Sequence, residues 1–324
     1  MHPDQAAGGG FTWVPADGSG TLVSDQRPTK GDPMSYCVQV EPGTRVNLAK
    51  IDTAADGGLS KAEGKKQTGK LLARLADLQQ ELYAAGVDSL LVVLQGMDTS
   101  GKDGAIRKVF SGVNPQGCQV TPFKAPNGLE LDHDHLWRIH RRTPARGMIG
   151  VFNRSHYEDV LIVRVHDLVP RKVWKQRYQQ INDFERLLTS NGSIICKFFL
   201  HISKHEQEQR LLARERDVEK AYKLSPDDWK ERDRWDHYVA AYEEALRRCS
   251  TPYAPWTIVP ADRKWYRNLA IADTLVRRLE GRCRTWQAHL RKLSQQRLAE
   301  LAEFHAGDAP ASPDGHHDAA RTRA

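Results

Sequence analysis

The stretch Ser89-Leu-Leu-Val-Val-Leu-Gln95, followed by Gly96-Met-Asp-Thr-Ser-Gly-Lys102-Asp-Gly104, constrains the fold more than any other part of the chain. An apolar run of strand length ends in a glycine turn, and a lysine opens a segment that reads as a helix from Asp103 to Val113. This is the G-x-x-x-x-G-K pattern of a phosphate-binding loop (Walker A) in the setting it requires, after a strand and before a helix. Gly96, Gly101 and Gly104 let the backbone N–H groups around Thr99 and Ser100 converge on phosphate oxygens. The helix N-terminus adds partial positive charge, and Lys102 reaches the outer phosphates. Two positions depart from the common pattern. Asp103 stands where a Ser or Thr usually ligates Mg²⁺, and Asp98 lies inside the loop, so carboxylates are expected to do the metal work.

The flanking pattern alternates strands and helices. Lys61–Ala85 carries Leu71, Leu72, Leu75, Leu78 and Leu82 at helical spacing. Further helices are expected from Leu129 to Arg142, stopped by Pro144, from Arg171 to Ser190, and from Lys264 to Arg282 with a continuation through Leu290, Leu293 and Leu298. Strands are expected at Gly117–Thr121, Met148–Phe152, Ser193–Leu200 and Trp256–Pro260. Continuous apolar strands alternating with helices predict an α/β fold, a three-layer αβα arrangement around a central parallel sheet. Such sheets bind ligands at the carboxyl ends of their strands, where the glycine loop sits.

With 324 residues the chain can bury a large core, as one domain with tails or as two. No run of eighteen apolar residues suits a membrane span, and the first residues lack the basic and apolar regions of a secretory signal. The five cysteines are scattered and never in C-x-x-C pairs, which fits reduced thiols in the cytoplasm. The net charge is +7, and Trp137 to Tyr178 holds ten Lys/Arg against three Asp/Glu. That stretch is either a solvated helix face or a surface for polyanions: nucleotides, nucleic acid or inorganic phosphate chains. Residues 1–34, rich in Gly, Pro, Asp and Ser, and the end from about Ala306 are expected to be disordered.

Two more regions bear on chemistry. Asn153-Arg-Ser-His-Tyr-Glu158-Asp159 follows a strand, where phosphate-loop enzymes usually have an Mg²⁺-binding Asp. Arg154 would stand beside the phosphates with Glu158 and Asp159 within reach of a metal; the same acids also read as a helix start favoured by the helix dipole. Lys204–Tyr238 is long, charged and helical, either a solvated hairpin or a water-excluding lid, with Arg210 and Arg214 spaced one turn apart. Asp132-His-Asp-His135 looks metal-like, but no cysteine or outlying His completes a tetrahedral zinc set, and with His140 it reads as a helix start and a partly buried face. A phosphohistidine at His156 is chemically conceivable, yet a phosphate-loop enzyme needs no such nucleophile.

Together these segments resemble the family-2 polyphosphate kinases, polyphosphate:nucleotide phosphotransferases of the thymidylate-kinase-like phosphate-loop fold. The resemblance runs through Pro42–Asp52, Ser89–Gly104, Phe123–Pro126, Phe152–Asp159, Phe199–Gln207, Arg234–Tyr238 and Ala254–Pro260. The family shares Asp103 and Asn153, so neither is an anomaly. The resemblance implies a phosphotransferase domain over 35–284 with a helical lid at about 204–248, and a tail over 285–324 that is helical and then disordered. It implies transfer between inorganic polyphosphate and a nucleoside mono- or diphosphate, AMP or ADP favoured, assisted by Mg²⁺ (or Mn²⁺), in a homo-oligomer. Asp98, Lys102 and Arg154 would be catalytic, with Asp98 and Asp159 on the metal. Gly96, Thr99, Ser100, Gly101, Asp103, Gly104, Lys124, Asn153, Glu158, Arg210 and Arg214 would hold phosphate or nucleotide. The pair Glu158-Asp159 resembles the subgroup that accepts both mono- and diphosphates. Rival readings are an ATP-dependent nucleotide kinase on the same fold and a nucleic-acid binder, the latter lacking interleaved aromatics for base stacking.

Overall fold

The computed structural model describes residues 36–217, 219 and 226–307. The disorder expected of 1–34 and of the tail beyond 307 lies outside the described residues, as does part of the expected lid.

Helix α1 (Lys61–Ala85) begins where Ser60 Oγ accepts from the Glu63 N–H and the Glu63 carboxylate accepts from the Ser60 N–H. This reciprocal cap satisfies two N–H groups that the helix start leaves without intrahelical partners. Leu75, Leu78 and Leu82, at spacings of three and four, are fully buried. The next element, β2 (Ser89–Gln95), is buried at every position and therefore lies in mid-sheet with both faces covered.

The six strands β1 (Val38–Val40), β2, β3 (Cys118–Pro122), β4 (Ile149–Asn153), β5 (Ser193–His201) and β6 (Trp256–Pro260) run in the order β1-β6-β5-β2-β4-β3. Five are parallel, but β1 pairs antiparallel with β6, so the expected all-parallel sheet is a mixed one. The register Leu94↔Asn153 and Gln95↔Phe199 brings the carboxyl ends of β2, β4 and β5 to one edge. One group of helices unites α1, α2 (Lys102–Val109) and the long α10 (Lys264–Gly307). A second unites α5 (Ile162–Val165), α6 (Arg171–Ser190) and α9 (Trp235–Cys249). Between β5 and α9 lie α7 (Lys204–Glu215) and α8 (Pro226–Asp233).

Two expected helices differ. The one after the loop stops at Val109 rather than Val113, because Gly112 and the Asn114-Pro115 step disfavour its continuation. The expected helix from Leu129 to Arg142 is two single turns, α3 (Gly128–Leu131) and α4 (Trp137–His140). Asn127 and Glu130 close the first as a reciprocal cap, and the Asp134 carboxylate turns the chain by accepting from the Leu136 N–H at 2.9 Å.

One core cluster is charged. Lys197 in β5 donates to Glu185 Oε2 (2.6 Å), the Tyr157 hydroxyl (2.8 Å) and the Cys249 carbonyl (2.6 Å). Glu185 Oε1 also accepts from Tyr157 at 2.8 Å and lies 3.2 Å from His156 Nε2. Burial depresses the imidazole of His156, which is 0% exposed and therefore out of reach of a phosphoryl donor. This cluster fixes the base of the segment that carries Arg154.

Candidate active site

The glycine turn leaves β2 with Gly96 at φ +152° and enters α2 through Gly101 at φ +96°. A side chain at Gly101 would be strained by this φ and would push the Arg267 guanidinium aside, its Cβ falling 2.0 Å from Nη1. Thr99 adopts a left-handed φ of +61° without being glycine, a strain of order 1 kcal/mol kept by the surrounding contacts. The Lys102 ammonium folds back over the loop and donates to the carbonyls of Gly96 (2.8 Å) and Met97 (3.2 Å). Burial, and secondarily Arg154, lowers it to about 8. Thr99 Oγ1 and Ser100 Oγ are buried and have no hydrogen-bond partner among the described residues.

Two arginines brace the loop. Arg210 of α7 commits all five N–H donors: Nε to Glu206, Nη1 to the Thr99 and Ser100 carbonyls (3.0 and 3.2 Å), and Nη2 to the Ala261 and Asp262 carbonyls (2.7 and 2.8 Å). It was expected to hold phosphate; here it ties the loop to α7 and to the end of β6, which leaves its field but none of its donors for a ligand. Arg267, in the first turn of α10, donates to the Ser100 carbonyl at 3.3 Å and is lowered to about 10 by burial and by Arg210. Arg214, one turn beyond Arg210, is half-buried and lines the cleft.

The end of β4 supplies the second half of the site. Asn153 donates to Asp103 Oδ1 at 2.6 Å, joining β4 to the start of α2. Arg154, in a left-handed conformation at φ +63°, donates to Asp98 Oδ1 at 2.7 Å and lies 3.7 Å from Glu158. Although burial opposes it, Glu158 and Asp98 hold this guanidinium firmly charged. Asp159, expected on the metal, instead forms a 2.7 Å ion pair with Arg177 of α6, and its burial outweighs that partner, pushing the carboxyl up to about 6.

These groups open onto one cleft of about 1600 Å³. Asp98, Thr99, Gly101, Lys102, Asp103, Gly104, Lys124, Asn153, Arg154, Glu158, Asp159, Arg210 and Arg214 all line it; Gly96 lies behind the loop, with Asp98, Arg154 and Glu158 beside a smaller recess. Lys124 is exposed, and its carbonyl is held by Arg138 Nη1 at 2.8 Å. Sequence reasoning missed Arg107, Arg138, Arg177, Lys264 and Arg267, which also line the cleft. Lys264 and Arg267 open the helix that follows β6, so their place at the carboxyl edge of the sheet was a usable signal. His135 belongs to the same wall, with Nε2 buried and unpartnered and its ring driven down to about 4 by burial.

The family model for polyphosphate kinase 2 matches residues 58–286. The chain belongs to that family. An AMP/ADP-polyphosphate phosphotransferase of Meiothermus ruber is 49% identical over 247 residues, covering 75% of this chain and 92% of the relative. An ADP-polyphosphate phosphotransferase of Rhodopseudomonas palustris is 46% identical over 259 residues, covering 75% and 89%. The crystal structure of polyphosphate kinase 2 from Arthrobacter aurescens TC1 aligns with a TM-score of 0.73 at 46% identity, covering 75% of this chain and 88% of that one. This polyphosphate kinase is therefore a phosphotransferase built on an α/β phosphate-loop fold. Among its described residues no helix is long and apolar enough to cross a membrane.

Proposed function

We propose that this polyphosphate kinase moves a phosphoryl group between the end of an inorganic polyphosphate chain and AMP or ADP. The carrying observation is that one basic cleft of about 1600 Å³ is lined together by the glycine loop, Lys102, the Arg154–Asp98 pair, Arg214 and Lys124. That volume exceeds what a single small ligand usually fills, which suits two phosphate-bearing substrates meeting end to end. The buried hydroxyls of Thr99 and Ser100 lack internal partners, and phosphate oxygens would satisfy them. Lys102 and the loop backbone would cradle the transferring phosphate, and Arg154 would stabilise the charge that develops on it. A single well-placed arginine contributes on the order of 10³–10⁵ in rate. Asn153, Glu158 and Arg214 would orient the two substrates.

The donor set fits Mg²⁺, or Mn²⁺, as an oxygen-ligand ion. Among the described residues no three His, Cys, Asp or Glu side chains converge into a metal cage. Mg²⁺ habitually uses one or two carboxylates completed by phosphate oxygens and water. Asp98, inside the loop itself, would hold it; Asp159, also paired with an arginine, is the poorer ligand because burial pushes its carboxyl up to about 6. When bound, the ion supplies charge neutralisation between the phosphates. The scattered cysteines, with Cys196, Cys249 and Cys283 buried as thiols in the core, support a cytoplasmic setting, and a homo-oligomer belongs to the same reading.

Incubating the protein with Mg²⁺, long-chain polyphosphate and AMP or ADP, with chromatography of the nucleotides, tests this directly. ADP from AMP, or ATP from ADP, is expected, and Lys102→Ala should abolish it with the fold intact. No product with polyphosphate, beside rapid ATP-dependent phosphorylation of a nucleotide, would replace polyphosphate by ATP as donor.

A further inference from the structure

Arg154 stands on a turn that the chain does not favour by itself. Its φ is +63° without being glycine, a conformation that persists only where the surroundings over-determine it. The ladder between β2 and β4 ends at Leu94↔Asn153, so Arg154 and Ser155 lie past the last strand pair. Even so, the guanidinium is closely held, 2.7 Å from Asp98 Oδ1 and 3.7 Å from Glu158. Contacts beyond the ladder must set the direction in which this side chain leaves the backbone.

The last two residues of β2 meet the turn pairwise. The Leu94 carbonyl accepts from the Arg154 N–H at 3.1 Å. Gln95, the next residue, donates from Nε2 to Ser155 Oγ at 3.1 Å. Both side chains of this second bond are 0% exposed. Ser155 Oγ also accepts from the Tyr157 N–H at 3.2 Å, which caps the short 3₁₀ helix His156–Val160 that bears Glu158. One hydroxyl therefore joins the strand end, the Arg154 turn and the helix carrying a carboxylate that faces Arg154.

Packing alone does not account for an amide at position 95. Leu90 to Leu94 are apolar and fully buried, and an amide at the end of that run is costly unless both of its ends find partners. Both do. Oε1 accepts from the Tyr242 hydroxyl of α9 at 3.4 Å, and the Tyr242 ring packs on Phe199 of β5 with centroids 4.5 Å apart. The amide is thus anchored to the neighbouring elements at one end and to the Arg154 turn at the other. Gln95 does not itself line the cleft.

We propose that Gln95 is a positioning residue for phosphoryl transfer, acting through Ser155 to hold Arg154 in its left-handed turn with the guanidinium toward the cleft. This rests on the charge-stabilising role given to Arg154 above, and not on which compound donates the phosphoryl group.

A mutant cycle in the full-length chain tests it, with kcat and KM measured with the donor that the nucleotide assay above identifies. Gln95→Met keeps the length and burial of the side chain and removes both hydrogen-bonding ends. It should lower kcat about 10- to 100-fold while each KM stays within about twofold. Ser155→Ala cuts the same bond from the other end and should do the same. It carries the test if circular dichroism and thermal melting show that Gln95→Met does not fold. On Arg154→Ala, where no guanidinium is left to aim, either change should lower kcat by less than about twofold more. An equal fold-loss on both backgrounds would overturn the proposal, because a role confined to packing acts whatever stands at position 154. A folded Gln95→Met with normal kcat, beside a crippled Arg154→Ala, would overturn it as well. A nearly normal kcat in Arg154→Ala would overturn the role of Arg154 itself, and this inference with it.

Discussion

The Asn153 amide donates to the Asp103 carboxylate at 2.6 Å, tying the end of β4 to the first turn of α2. Asp103 stands where the commonest phosphate loop has Ser or Thr, and Asn153 where the second strand usually ends in an Asp, and each departure answers the other. A carboxylate at the start of α2 is matched by a neutral donor on the neighbouring strand, where the usual acid would repel it.

Asn153→Asp should therefore be more damaging than its size suggests. Two carboxylates at hydrogen-bond distance cannot both stay ionised without cost. We expect a loss of about tenfold or more in kcat/KM with a lower Tm. Adding Asp103→Ser, which restores the commoner pairing, should recover most of the Tm. Equal melting of wild type and Asn153→Asp would refute the coupling.

Arg210 and Arg214 should separate cleanly. Arg210→Ala deletes five hydrogen bonds, four of them to backbone carbonyls that brace the loop and β6. Stability should fall by about 2–4 kcal/mol, with kcat reduced. Arg214→Ala should leave Tm unchanged and raise the KM for polyphosphate. Thermal melts beside steady-state kinetics decide this; an unchanged Tm in Arg210→Ala would deny it the bracing role.

Activity should fall on the alkaline side. Lys102 is a cation lowered from 10.5 to about 8 by burial, so between those values the folded chain binds fewer protons than the unfolded one. This group alone makes stability rise with pH across that window, and its burial cost is constant below it. On the proposed reading phosphate binding would run the other way, because it would need the ammonium. The KM for polyphosphate should climb above pH about 8 while kcat at saturation stays nearly level, since bound phosphate holds the proton. A KM that stays flat to about pH 9.5 would show that Lys102 does not titrate there.

The buried cluster predicts a stability effect with a kinetic echo. Lys197→Met leaves Glu185 without its cation at 0% exposure and should cost about 3–5 kcal/mol. Lys197→Met with Glu185→Gln should cost less than the single change. His156 and Tyr157, which the cluster holds, are near neighbours of Arg154 in the chain, so kcat should fall along with the denaturation midpoint. Urea titrations of both variants would settle it, an equal loss in each being the contrary result.

Much of this was readable beforehand. Helices α1 and α6 and strand β6 keep their expected limits because leucine spacing, proline and glycine mark them locally. The loop was legible because its pattern is contiguous. The three-residue β1 was not, being too short for any periodicity, and it exists through its pairing with β6. Lys197 read as one polar residue in an apolar strand, with nothing nearby to announce Glu185 as its partner twelve positions away. Arg210 was spotted but given the wrong neighbours: carbonyls at Thr99 and Ala261 become adjacent only when the sheet edge assembles.

The inward curl of Lys102 also sets a selectivity threshold. Its ammonium already holds the Gly96 and Met97 carbonyls, so an anion entering the loop exchanges interactions instead of simply adding them. Chloride or a single-charged carboxylate offers little beyond what it displaces. A chain of phosphates offers several oxygens and several charges at once, and the surplus grows with the number of groups that engage together. On the proposed reading the loop would be indifferent to small ions and responsive to polyvalent ones, a filter that would operate before any bond is made or broken.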